Sequence, residues 1–195
     1  MGPVPRAGLS RDAVVDLAVE LVDAEGWNSL TLAAVAGRAG VAVPSLYKHV
    51  GSLAELRSAV ALVAVRELTR VCAAATVGRS GEDALRALGH AIRGFAHQHP
   101  GLYAAGQIAP DPEADGGLEL AQSAADAVAL MAAVLRGFGL PDDRTVDAVR
   151  TARSALHGFV MLEASGGFGM PDSVDRSFEA LLDTVVAGIH ALARA

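Results

Sequence analysis

Apolar residues along this chain recur at intervals of three and four, and rarely at intervals of two. That is the period of helices with one buried face, and no stretch reads as a strand. Val14, Leu17, Ala18, Leu21 and Val22 form a first stripe. Ser10 is placed to cap it, Asp12 lies in its first turn, and Gly26 ends it, which predicts a helix over 10–25 with Trp27 packed over its end. Thr31 opens a second helix with Leu32, Val35, Ala36 and Ala39 inward, and Gly40 breaks it. A short third helix is predicted over 43–50, with Pro44 tolerated in its first turn and Leu46 and Val50, four apart, facing inward.

The segment Ser52, Leu53, Ala54, Glu55 reads as a capping box, in which the serine oxygen accepts the glutamate N–H and the glutamate reaches back. It starts a fourth helix with Leu56, Val60, Val63, Val65 and Leu68, expected to end near Ala75. After a connector over 77–81, a fifth helix carries Leu85, Leu88, Ile92 and Phe95, and His99 with Pro100 stops it. A short helix holds Leu102 and Tyr103. The proline, glycine and aspartate of 109–117 make the clearest loop. Long helices follow over 118–138, 142–164 and 173–193, separated by Gly139 with Pro141 and by a glycine-rich turn at 166–169. The expected fold is all-α, with about nine helices.

Composition sharpens this picture in three ways. Hydrophobic residues make up 52% of the 195 and aromatics only 4%, so the core is built mainly from Ala, Val and Leu. The single cysteine, Cys72, cannot form an intrachain disulfide and has no metal-cluster spacing; it is expected as a small buried hydrophobe. The longest uninterrupted apolar run, 127–135, falls short of the ~18 residues of a bilayer span, and the start lacks the apolar stretch of a signal peptide, which points to a cytoplasmic protein that does not engage a membrane. The net charge of −6 is uneven: residues 1–70 balance seven Arg and Lys against seven Asp and Glu, so the acidic excess lies in 71–195. That distribution leaves the N-terminal part free to approach an anion.

The stretch 31–51 carries the function. Two short helices flank Gly40, Val41 and Ala42, the spacing of a helix-turn-helix. In such a unit the second helix enters the major groove and its N-terminal residues meet base edges. Here those residues are Ala42, Val43, Pro44 and Ser45. They are small or stiff, Ser45 can donate or accept, and Val43 or Pro44 can touch a thymine methyl. Tyr47, Lys48 and His49 follow, three side chains suited to phosphate oxygens.

Leu30 with Thr31, Val35 with Ala36, Gly40 with Val41, the run Leu46 to Val50, and Leu56 together resemble the DNA-binding domain of TetR-type repressors over residues 9–60. The resemblance implies phosphate contacts from Thr31, Tyr47 and His49, and Val43 to Ser45 over the bases. Leu53 stands where that family usually has lysine, and Ala42 where it often has Ser or Thr. Further on, Ala155 to Gly158, Leu162 with Glu163, Gly166 to Gly169, and Phe178 with Glu179 are similar to the family's Trp-His-Gly effector domains, with Leu156 in place of the tryptophan. The resemblance implies a DNA-binding domain over 9–69, with its helix-turn-helix at about 32–51, and a ligand-binding and dimerisation domain over 76–195. It further implies a homodimer paired through the last two helices, about 142–164 and 173–193. Function would be regulation of transcription from a palindromic double-stranded operator, commonly repression relieved by a small-molecule effector.

Phe95, His99, Tyr103, Met131, Leu135 and Phe159 are the candidate effector contacts, although an apolar pocket and ordinary core look alike in sequence. His90, His97 and His99 cluster, but nothing completes a metal set at ligand spacing, and no metal or other cofactor is expected. His157 has no nucleophile at a readable spacing, and no P-loop, Rossmann or zinc-protease motif is present, so no enzyme activity is expected. The rival reading is a helical-bundle enzyme or carrier that uses its N-terminal unit only for protein contacts.

Overall fold

The computed structural model describes residues 9–194. Among these there are nine α-helices and no strand: α1 (Arg11–Glu25), α2 (Leu32–Ala39), α3 (Val43–Leu46), α4 (Leu53–Thr76), α5 (Gly81–Gln98), α6 (Pro100–Ala105), α7 (Gly117–Arg136), α8 (Thr145–Ala164) and α9 (Val174–Arg194). One-turn 3-10 segments lie at Trp27–Ser29 and Asp142–Arg144. The all-α fold expected from the periodicity is therefore the fold observed.

The chain divides into two compact units. The first joins the described residues up to Val65 with His99–Ser123, and the second joins Arg66–Gln98 with the residues from Ala124 onward. The segment 99–123, which lies inside the stretch 76–195, thus clusters with the N-terminal helices.

In the first unit, the helix starts are set by short polar side chains. Ser10 Oγ accepts the Ala13 N–H at 3.1 Å, and Thr31 Oγ1 accepts that of Ala34 at 3.1 Å. Each satisfies a donor that the first helical turn leaves without a partner. Gly40 closes α2 in the left-handed region, with φ 66°, where a side chain is disfavoured. Val14, Ala18, Leu21, Val22, Leu30, Val35, Leu46, Val50 and Leu56 form the core of this unit, whereas Leu32 and Ala39 are only half-buried. α6 lies against α1 so closely that a Cβ at Gly101 would sit 1.8 Å from the Val22 carbonyl oxygen.

In the second unit, α5 packs on α8 and α9 around Leu85, Leu88, Phe95, Leu156, Phe178, Leu182 and Ile189. Along its rim α5 is paired with α9: Glu82 with His190 (2.7 Å), Arg86 with Asp183 (2.5 Å), His90 with Glu179 (3.1 Å) and Arg93 with Asp175 (2.7 Å). Most of these groups are well exposed, where such pairs contribute ~0–1 kcal/mol each and mainly set register.

α7 meets the length and composition of a bilayer span, with a mean hydropathy of 1.5 over its richest window. Its large apolar side chains are divided: Leu118 and Val128 are exposed, whereas Leu120, Met131, Val134 and Leu135 are buried in the protein.

Cys72 is buried among apolar neighbours, and burial pushes its thiol up to about 12. The thiolate is the reactive form. Ellman's reagent is therefore expected to leave Cys72 unmodified in the native protein at pH 8 and to titrate one thiol per chain after addition of denaturant.

Candidate nucleic-acid interface

The helix-turn-helix lies wholly in the first unit. α3 is a single turn, shorter than its apolar spacing predicts. Its N-cap position is Ala42, which supplies no side-chain cap, and Pro44 fills the first turn. After Leu46 the chain leaves the helix, and Tyr47, Lys48 and His49 form a turn. The amides of His49 and Val50 both donate to the Leu46 carbonyl, at 2.8 and 3.0 Å. Leu46 and Val50 point inward with exposures of 0% and 1%, so the turn hangs between two anchors fixed in the core.

This arrangement sorts the candidate residues. Tyr47 is 55% exposed, an unusual position for a tyrosine with core available a few residues away. Lys48 is exposed beside it and His49 half-buried. Ala42 and Pro44 are exposed on the preceding turn, and Val43 and Ser45 are half-buried. Thr31 is exposed at the head of α2, its hydroxyl already engaged as the cap. Thus Ala42 to Ser45 and Tyr47 to His49 form one contiguous outward stub.

The capping box expected over Ser52 to Glu55 takes a variant form. The Glu55 amide donates to Ser52 Oγ at 3.0 Å, but its carboxylate accepts the N–H of Gly51, one residue further back, at 2.6 Å. The other carboxylate oxygen, Oε1, accepts Nε and Nη2 of Arg11, at 3.3 and 3.2 Å. No spacing in the sequence signals this tie to Arg11, since only the folded chain brings α1 to the start of α4. Arg57 lies over the Trp27 ring at 5.8 Å, so the residue expected to cover the end of α1 is held from the other side by α4.

The candidate effector contacts do not fall in one unit. His99 and Tyr103 belong to the first. There His99 Nδ1 meets Asp23 Oδ2 at 2.8 Å and Tyr103 is buried in α6. Phe95, Met131, Leu135 and Phe159 belong to the second. Phe159 stacks between Phe168 and Phe178, with centroids at 4.7 and 5.1 Å, which pins the glycine-rich turn 166–169 to the helices it joins. Beside these rings, Arg93 lies over Phe178 at 4.7 Å and pairs with Glu163 through two bonds, Nη2 to Oε1 at 2.5 Å and Nε to Oε2 at 2.8 Å. His97 reaches the same carboxylate at 2.9 Å. The Arg93 guanidinium holds the Glu163 carboxyl below its ordinary range, with His97 adding to the effect. Burial, and then the charge of Arg153, lowers the pKa of His157.

Known proteins resemble the chain in both its parts. Residues 14–60 match the bacterial regulatory proteins of the tetR family, and residues 85–185 match the tetracyclin repressor-like C-terminal domain. The helix-turn-helix-type transcriptional regulator Rv0681 of Mycobacterium tuberculosis is 36% identical over 188 residues, covering 94% of this chain and 83% of that protein. The regulator YobS of Bacillus subtilis is 32% identical, covering 95% of each chain. Among solved structures, the regulatory protein SCO4313 superposes with a TM-score of 0.72 at 26% identity, covering 91% of this chain and 95% of that one.

Proposed function

The chain belongs to the tetR family of bacterial regulatory proteins, and on that footing we propose that this DNA-binding transcriptional regulator is a homodimeric repressor released from a palindromic operator by a small-molecule effector. The observation that carries the DNA-binding half is the exposed stub Ala42 to His49, with Tyr47 and Lys48 outward and Leu46 and Val50 locked in the core. In this reading Ala42 to Ser45 lie over base edges, and Thr31, Tyr47, Lys48 and His49 hold phosphates. Residues 9–69 serve DNA binding, and 76–195 serve effector binding and pairing.

Pairing through α8 and α9 is supported by what those helices leave outside. Val146, Met161 and Leu162 on α8 are 55%, 42% and 52% exposed, and α9 presents the small residues Ala180, Thr184, Ala187 and Ala191. Two copies so joined would set their stubs one DNA turn apart, ~34–36 Å. The effector site belongs to the stretch 76–195, with Phe95, His99, Tyr103, Met131, Leu135 and Phe159 as its candidate contacts. Effector occupancy would weaken operator binding through a coupling of ~1–3 kcal/mol.

The test is fluorescence anisotropy on a palindromic duplex that the wild-type protein has selected from a random pool. Tyr47→Ala and Lys48→Ala are each expected to weaken binding by about tenfold or more while leaving the melting temperature unchanged, because both side chains are outside the core. Wild-type affinity in both variants would overturn the reading.

A further inference from the structure

The turn that presents Tyr47, Lys48 and His49 is anchored in the core through Leu46 and Val50, and a second grip holds its far end. That grip is Glu55. One oxygen of its carboxylate takes the Gly51 N–H, two residues beyond His49, and the other takes the guanidinium of Arg11 in a two-pronged bond. Glu55 is 15% exposed and Arg11 50% exposed, so the carboxylate lies at the base and the cation toward water. The bond occupies only part of the guanidinium: Arg has five N–H donors, and Nη1 makes no bond to Glu55. A carboxylate so placed serves two ends. It fixes the turn, and it holds a cation beside that turn in one orientation, which spares the side-chain entropy of ordering a free arginine on a partner.

Building on the DNA-binding reading above, we infer that Arg11 is an additional phosphate contact of the DNA interface and that Glu55 is the residue that positions it. The partner is a phosphate oxygen of the double strand flanking the stretch met by Tyr47 to His49. Arg11 suits this role through charge and planar donor geometry, which allow it to bond a carboxylate along one edge and a phosphate along another. Arg38, a cation ion-paired across helices in this unit, is tied to Glu25.

The experiment measures binding to a mixed-sequence duplex against salt concentration. Removing one phosphate partner from the protein lowers the slope of log K against log [salt] by about 0.9. Arg11→Ala is expected to show that decrease for each protomer. Arg11→Gln, which can still donate to Glu55, is expected to show it as well and covers the case in which the alanine variant fails to fold. Glu55→Gln keeps an acceptor for the Gly51 amide but releases Arg11. It is expected to weaken binding several-fold in the wild-type background and to have no effect in the Arg11→Ala background. A purely structural cap would act equally in both, and that result would overturn the positioning role. An unchanged slope in both Arg11 variants would overturn the phosphate-binding role of Arg11. Lys48→Ala, run alongside, separates the two levels. If it weakens binding while the Arg11 variants do not, only this inference falls; if it and Tyr47→Ala are both silent, the DNA-binding stub itself is wrong.

Discussion

Gly101→Ala is expected to lower the melting temperature by roughly 10 °C. An alanine Cβ at this position would lie 1.8 Å from the Val22 carbonyl oxygen and 2.7 Å from its carbon. Both obstacles are main chain, inside a helix capped at each end, and neither can rotate away. Relief requires α6 to lift off α1, and Leu102, Tyr103 and Ala105, all buried now, would be uncovered with it. Overpacking of this kind costs about 3 kcal/mol or more. Gly94 provides the control. It also lies within a helix, with nothing within 4 Å of its would-be Cβ, so Gly94→Ala is expected to stabilise by about 0.5 kcal/mol through helix propensity alone. Thermal denaturation of the two variants side by side checks both; similar midpoints would refute the close approach of α6 to α1.

The second large effect belongs to Arg93. Its guanidinium is 13% exposed and joins α5 to Glu163 of α8 and Asp175 of α9 while lying over the ring of Phe178. Arg93→Met keeps much of the stem but leaves the Glu163 carboxylate, 14% exposed, with only the more exposed His97 as its partner. Removing one partner of a largely buried pair costs about 3 kcal/mol. The effect carries a pH signature with a defined sign. The folded-state pKa of Glu163 lies below its ordinary 4.5, first because of the Arg93 hydrogen bond. A depressed carboxyl stabilises the fold fully above its unfolded pKa and gives that contribution up as pH falls through the folded one. Urea unfolding is therefore expected to show a wide gap between wild type and Arg93→Met at pH 7 that narrows at and below pH 4. A gap independent of pH would mean that the packing of Arg93, not its charge, holds the three helices together.

How far the chain could be read in advance depended on the range of the chemistry. The caps were legible, since Ser10, Thr31 and Ser52 act on amides only three residues away. The buried stripes of α5 and α9 were legible because their period is a property of the helix itself. The end of α3 was not. Leu46 and Val50 keep helical spacing, yet the regular helix stops at Leu46 and a tightened turn closes on Val50, because the His49 and Val50 amides share the Leu46 carbonyl. The outward turn that follows α2 could be placed in advance because helix-turn-helix spacing is local. The tie of Arg11 to Glu55 could not, because the arginine is forty-four positions from the carboxylate that holds it. Nor could the contacts of His99 with Asp23 and of Gly101 with Val22, since each joins residues more than seventy positions apart.

The threading of the chain also bears on how the protein could be dissected. The polypeptide passes between the two units three times, within α4, between α5 and α6, and within α7. A fragment cut after Val65 would retain the reading stub and lose the short helix that seals the flank of α1, leaving Val22 and its neighbours wet. Chimeras that transplant a reading head from one regulator to another at a single junction would inherit that bare flank, and a sound graft has to bring the segment from His99 to Ser123 along with it.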